Sequence, residues 1–237
     1  MLAEILKPLQ VSPGGGPMGQ QVVSLLRDKI VTNELPPGQG LSESDLASLL
    51  GVSRQPVREA LIRLAEGGLV RILPQRGTTV SRISLSQVAG GRFVRDAVER
   101  AVVRLAALDA DSAAIDAMHS LIDRQEEAIR REDHRAFLEF DDALHLSFAE
   151  AMGQKSAWST LADVKLQMDR VRYLSLPTDA TPSRVLIAQH RAIVAAIARR
   201  DPDAAEEAMR QHLSEILASL PRIVQRLPDY FETVEQP

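Results

Sequence analysis

Five histidines stand among the 237 residues, and the placement of three of them is the first chemical signal in the sequence. His145 follows Asp141 by four positions, which on a helix puts both side chains on one face. His190 and His212 each fall near the middle of a later helical stretch. If those three helices share an interior, one carboxylate and three imidazoles converge. Such an N3O set suits a divalent ion, zinc first and nickel or manganese as alternatives, and leaves a position open for water or an oxyanion. Asp142, three residues from His145, is an alternative ligand, and the i, i+4 relation favours Asp141. Each histidine taken singly also reads as a satisfied polar residue at a helix interface; the four together favour a site. His119 and His134 lack such a partner pattern and read as surface residues.

Arginines supply the second kind of chemistry. Arg95 sits among Phe93, Val94, Val98 and Val102, so its stem can be covered while its fork meets a bound carboxylate. Pairing with Asp96 or Glu99 explains it equally well. Arg170 and Arg172 are further candidates of the same sort. Earlier in the chain Arg54 and Arg58 lie one turn apart on a short helix whose inward stripe is Val57, Ala60, Leu61 and Leu64. A helix end that enters a major groove must present donors to base edges and phosphates, and this pair can do so. A solvated arginine face has the same appearance.

The elements that must position these groups follow from periodicity and caps. Ser42 starts one short helix, with Asp45 in the capping-box slot and Leu46, Leu49 and Leu50 at helical spacing. The turn Gly51-Val52-Ser53 follows, with Ser53 placed to cap the helix that carries Arg54, Gln55, Pro56 and Arg58. Apolar residues at 69–70 and 72–73, the loop Pro74-Gln75-Arg76-Gly77, and Thr78-Thr79-Val80 then predict a two-stranded ribbon with a basic tip. Val22, Val23, Leu26 and Ile30 predict a further helix over Gly19–Asn33. Residues 1–18 read as a flexible arm, since Ser12-Pro13-Gly14-Gly15-Gly16-Pro17 cannot build a core.

Beyond Ser84 the pattern becomes helical and alanine-rich. Ser84, Asp111, Asp133, Thr181-Pro182 and Asp201-Pro202 are cap signals, and they divide residues 83–221 into an antiparallel bundle of about six helices. The fourth spans about 156–174 and the sixth ends near Leu220-Pro221. Gly90-Gly91 is a weak point near the start of the first. Residues 222–237 carry Tyr230 and Phe231 without a clear element. The fold class is therefore mainly α: an N-terminal winged helix-turn-helix over 19–82, then the bundle.

Composition narrows the function. There is no cysteine, so disulfides and thiolate catalysis are excluded. No leader-like N-terminus or membrane-length apolar run is present, which points to a cytoplasmic protein without a membrane partner. The formal net charge is −4, yet residues 17–82 carry +2 and residues 83–237 carry −6. Only the first part needs to approach phosphate.

Residues 19–82 resemble the winged helix-turn-helix of the GntR family of bacterial transcription regulators. The resemblance rests on Leu35-Pro36-Pro37-Gly38, Leu41-Ser42-Glu43, Asp45-Leu46-Ala47, Leu50-Gly51-Val52-Ser53-Arg54, Pro56-Val57-Arg58-Glu59-Ala60-Leu61, Arg63-Leu64, Gly68-Leu69-Val70 and Arg76-Gly77. Residues 84–220 resemble the helical effector domain of the FadR subfamily, the FCD branch, through Arg95, Glu99, Phe140-Asp141, Leu144-His145, His190 and His212. The resemblance implies a divalent metal on Asp141, His145, His190 and His212, and an effector carboxylate met by Arg95. It implies DNA contacts from Ser44, Arg54, Arg58 and Gly77, with Ser53, Gln55 and Arg76 nearby. Gln55 stands where threonine is usual, and Gly90-Gly91 departs from the usual start of the effector domain.

These observations predict a homodimeric repressor that binds a palindromic operator and is released by a small organic or sugar acid. A metal-dependent hydrolase is the enzyme alternative; no motif places a general base for it, and a DNA-reading element would have no role. A DNA-binding protein with a purely structural histidine cluster is the third reading, and it predicts DNA affinity indifferent to metal and acids.

Overall fold

The computed structural model describes residues 2–6, 16–73, 75, 77–176 and 183–233. The chain divides into two compact units, Met1–Ser84 with Asp229–Pro237, and Leu85–Pro228. The first unit contains α1 (Leu2–Ile5), α2 (Met18–Val31), β1 (Gly40–Leu41), α3 (Glu43–Leu50), α4 (Arg54–Glu66), β2 (Val70–Leu73) and β3 (Gly77–Val80). Helix α2 buries the stripe Val22, Val23, Leu26 and Ile30 and packs on α4, which buries Val57, Ala60, Leu61 and Leu64.

The turn between α3 and α4 is set locally. The Ser42 hydroxyl accepts from the Asp45 amide at 3.3 Å, which starts α3. Gly51 ends it with φ +68°, a left-handed conformation that costs a residue without Cβ little. Ser53 stands at the N-cap of α4 with extended backbone, but its side chain makes no capping bond, contrary to expectation. Ser53, Arg54 and Gln55 are exposed, so water can satisfy the donors of that first turn.

The predicted ribbon is a three-stranded antiparallel sheet in the order β1-β3-β2. Val70 pairs with Val80 and Leu73 with Gly77, while β1 sets Leu41 opposite Thr78. Two residues are too few for an alternating pattern, which is why β1 left no mark in the sequence. Of the loop beyond β2, Arg76 lies outside the described residues. In the predicted N-terminal arm, α1 leads to Leu6, which is buried.

The second unit contains α5 (Leu85–Asp109), α6 (Ser112–Arg130), α7 (His134–Glu150), α8 (Lys155–Val164), α9 (Leu166–Ser175), α10 (Ser183–Ala198) and α11 (Pro202–Arg226). Three aspartate caps act as anticipated: Asp111, Asp133 and Asp201 accept from the amides of Ala114, Ala136 and Ala204 at 2.7, 2.9 and 3.0 Å. The cap expected at Thr181-Pro182 lies outside the described residues. The main core joins Val103, Ala106, Met118, Ile122, Phe137, Leu144, Phe148, Ile193, Ile197 and Met209.

Two element boundaries differ from the sequence reading. The predicted fourth helix is two, α8 and α9, which meet at Lys165. No glycine or proline marks that joint; instead the buried Lys165 amine donates to Asp142 at 3.0 Å and to Asp169 at 2.7 Å. The last helix does not stop at Pro221 but runs through it to Arg226. An interior proline forfeits one backbone bond, and α11 is long enough to retain the rest. A 3-10 turn, Pro228–Tyr230, follows, and Phe231 forms a parallel bridge with Ile83. Of the tail expected to hold no clear element, residues 222–226 thus belong to α11 and residues 229–233 to the first unit.

Gly91 in α5 serves a close helix approach. A methyl group there would lie 2.6 Å from the Val164 carbonyl oxygen at the end of α8, whereas Gly90 faces open space.

Candidate metal centre

Helix α7 presents Phe137, Leu138, Asp141, Leu144, His145 and Phe148 on one buried face, so Asp141 and His145 point inward by the same periodicity that builds the core. Helix α10 does the same with His190 between Ile187 and Ile193, and α11 with His212 between Met209 and Leu213. All four polar residues are buried.

One ligand atom from each of Asp141, His145, His190 and His212 can be chosen so that all four lie within 4.8 Å of one another. His145 Nε2 is 3.1 Å from His212 Nε2, His190 Nε2 is 3.2 Å from Asp141 Oδ1, and His145 Nε2 is 3.8 Å from Asp141 Oδ2. Around a zinc ion with bonds near 2.0–2.2 Å, tetrahedral ligands stand roughly 3.3–3.5 Å apart. His190 Nε2 is fully buried without a well-aligned hydrogen-bond partner, the state of an atom whose partner is a cation. Asp142 does not join them; it binds Lys165 and Arg172.

Each imidazole is oriented from behind. His145 Nδ1 meets Glu99, His190 Nδ1 is 2.7 Å from Gln125 Oε1, and His212 Nδ1 is 3.1 Å from Gln189 Oε1. Both glutamines are themselves fixed: Gln125 Nε2 donates to the Phe140 carbonyl at 3.2 Å and Gln189 Nε2 reaches Glu215 at 3.5 Å. With an acceptor at every Nδ1, each ring is assigned the tautomer that turns an Nε2 lone pair inward. Gln125 and Gln189 were not anticipated, because an orienting amide carries no spacing signal until its histidine partner is placed. Trp158 stacks on His145 with 6.0 Å between centroids and an interplanar angle of 13°.

The electrostatics favour ligand-ready forms. Burial, then the neighbouring imidazoles His190 and His145, hold His212 well below the usual histidine range, and burial also lowers His190. Burial alone would raise Asp141, but the Arg172 guanidinium beside it, with His190 and His145, holds its carboxyl well below the usual range.

A cavity of about 50 Å³ adjoins the cluster, lined by Asp141 and His212, by Arg95 and Arg172, and by apolar residues including Met168 and Leu213. Arg95 lines this cavity and also pairs with Glu99 on the next turn. Arg172 binds Asp141 and donates to Asp142 and Asp169 at 2.9 Å each. Arg170 does not line the cavity; it is fully buried and donates to Gln167 at 3.1 Å. His119 is exposed and His134 half-buried, both away from the cluster.

In the first unit Ser44, Ser53, Arg54, Gln55, Arg58 and Gly77 are all exposed. Gln55 donates to Glu59 at 2.9 Å, one turn along α4. Helix, turn, helix and antiparallel ribbon thus stand in one unit, and the buried Asp/His cluster in the other.

Comparison with known proteins assigns both halves. Residues 18–80 match the family of bacterial regulatory proteins called gntR, and residues 92–215 match the FCD domain. The chain belongs to the GntR family. It is a DNA-binding regulator with an FCD domain whose buried Asp/His cluster can chelate a metal ion. The HTH-type transcriptional repressor RspR of Escherichia coli (strain K12) is 41% identical over 215 residues, covering 91% of this chain and 94% of that protein. An uncharacterized HTH-type regulator of Streptomyces ambofaciens is 38% identical over 208 residues, covering 88% and 87%. The solved structure of E. coli McbR/YncC superposes with a TM-score of 0.73 at 19% identity over 89% of this chain and 98% of that one, which supports the fold. The E. coli and Streptomyces relatives at 41% and 38% identity are named as transcriptional regulators, and no helix among the described residues is long and apolar enough to cross a membrane.

Proposed function

We propose that the protein is a homodimeric repressor of the FadR subfamily whose grip on a palindromic operator is released by a small organic or sugar acid. The observation that carries this reading is the cavity that places two guanidiniums, Arg95 and Arg172, beside the Asp141, His145, His190 and His212 cluster. Zinc is the ion these residues suit best, with nickel or manganese able to replace it. When bound, the ion offers a Lewis-acidic position to a carboxylate oxygen. Arg95 and Arg172 add charged donors, and Leu138, Met168 and Leu186 exclude water from the rest of the acid. Of the two kinds of acid, a cavity of about 50 Å³ favours the small organic acid.

DNA contact falls to Arg54, Gln55 and Arg58 on α4, with Ser44, Ser53, Arg76 and Gly77 on phosphate or nearby. The repressor RspR, 41% identical to this chain, supports the direction of control. Dimerisation is supported by α5, where Phe93, Ala97, Ala101, Leu105 and Leu108 recur at helical spacing and are all exposed, Phe93 by 70%. A second copy of the helix can cover that stripe. Leu105→Glu is expected to yield a monomer by sedimentation.

The test is binding to a duplex selected by the protein from a random-sequence pool, with a panel of carboxylates, before and after chelation. One acid should release the zinc-loaded protein, and neither Arg95→Ala nor His190→Ala should respond. Arg58→Ala should lose the duplex while retaining zinc. Release that persists in both effector-site variants overturns the assignment of the cavity, and full affinity in Arg58→Ala overturns the assignment of α4.

A further inference from the structure

The chain passes between its two units twice, once at Ser84 to Leu85 and again at Pro228 to Asp229. The second passage is anchored. Ile83 donates its amide to the Tyr230 carbonyl at 2.8 Å, and Glu232 donates its amide to the Ile83 carbonyl at 3.0 Å. Ile83 is 0% exposed and Phe231 3%, so the chain's last described aromatic side chain is buried in the N-terminal unit. The exposed ion pair of Arg82 with Asp229, at 4.0 Å, adds little. Backbone pairing and a buried phenyl ring make residues 229–232 a structural part of the DNA-reading unit.

The other ends of the two passages are the helices of the candidate site. Helix α5 begins at Leu85 and carries Arg95 and Glu99; α11 ends at Arg226 and carries His212, Glu215 and Ser219 of the cavity. From Ser219 only the last part of α11, through Pro221 to Arg226, and Leu227 remain before Pro228, and the Leu227 amide closes the helix on the Ile223 carbonyl at 2.9 Å. Both leads converge on residue 83, where the two strands of the bridge pair. Helix α11 continues through Pro221 to Arg226, so only Leu227 and Pro228 separate it from the anchored segment, and a change in its setting has a short covalent path to the anchor.

We propose that residues 228–233 are a strap that transmits occupancy of the metal centre through α11 to the DNA-reading unit. This rests on the reading of the Asp/His cluster as a metal centre and of the N-terminal unit as a DNA reader. Without the strap, α5 is the one covalent lead, and the units are free to adopt a setting independent of α11.

The test inserts six Gly/Ser residues after Leu227 in the full chain, which introduces slack while leaving Phe231, the bridge and every cluster residue in place. Zinc alone is the probe, its affinity measured by competition with a chromogenic chelator, with and without the selected duplex. Coupling between sites is reciprocal, so a DNA-dependent change in zinc affinity equals the zinc-dependent change in DNA affinity. The expected result is a wild-type change of at least about fivefold, falling toward one in the slackened chain with zinc affinity in the absence of DNA unchanged. A wild-type change that survives the insertion overturns the strap alone. A wild-type ratio of one overturns the strap together with the view that metal occupancy bears on DNA binding.

Discussion

Glu99 is the carboxylate behind His145, and it divides itself between that imidazole and Arg95. Removing its charge leaves the His145 ring less firmly turned. Glu99→Gln should weaken zinc binding by about 10–100-fold by calorimetry, with Gln125→Ala in the same range through His190. A change under twofold in both would mean the rings are held by packing alone. Acidity provides a second check on the metal-free protein. His190 and His212 have folded-state values below 6.5, so their contribution to stability is full above that pH and is lost as pH falls through the lower folded values. Between pH 6.5 and about 5, above the range where most carboxylates take up protons, the urea midpoint of chelator-treated protein should fall. A flat midpoint would show that the imidazoles are not buried neutral. The pairing of Asp141 with His145 in the cluster was readable in the sequence because the two share a helical period; Glu99, Gln125 and Gln189 meet the rings only once α7, α10 and α11 are packed.

At the scale of the element, α5 contains a natural control in adjacent residues. Gly91→Ala forces a methyl against the Val164 carbonyl and should destabilise the protein by about 1–3 kcal/mol. Gly90→Ala meets nothing and should stabilise it by about 0.5–1 kcal/mol, through helix propensity alone. Thermal denaturation of the two variants side by side decides the matter; equal effects would mean α5 and α8 do not approach so closely. In the sequence the pair reads only as a weak point, because a close approach has no local signature. The joint at Lys165 left no local sign for a related reason: no glycine or proline stands there, and the Lys165 amine bonds Asp142 on another helix and Asp169 on the next turn. Caps were legible where an aspartate side chain reaches its own helix, as at Asp111, Asp133 and Asp201. The cap assigned to Ser53 was not realised, since an exposed helix start can leave its donors to water.

For the whole molecule, the division into an N-terminal reader and a helical body was legible because hydrophobic period and charge both change near residue 83. The return of residues 229–233 to the reader was not, since a single buried phenylalanine in a short tail carries no period. The sequence contains one tryptophan, and the fold stacks that indole on His145. Its light emission therefore reports a single locality in the chain, at the edge of the candidate centre and near the Lys165 amine, 5.7 Å from its ring. Adding zinc to chelator-treated protein should change the intensity of that emission in step with loading and saturate at one ion per chain; a signal indifferent to zinc would put the ion elsewhere. The protein thus carries a built-in optical gauge, and ligands could be screened against it without a label.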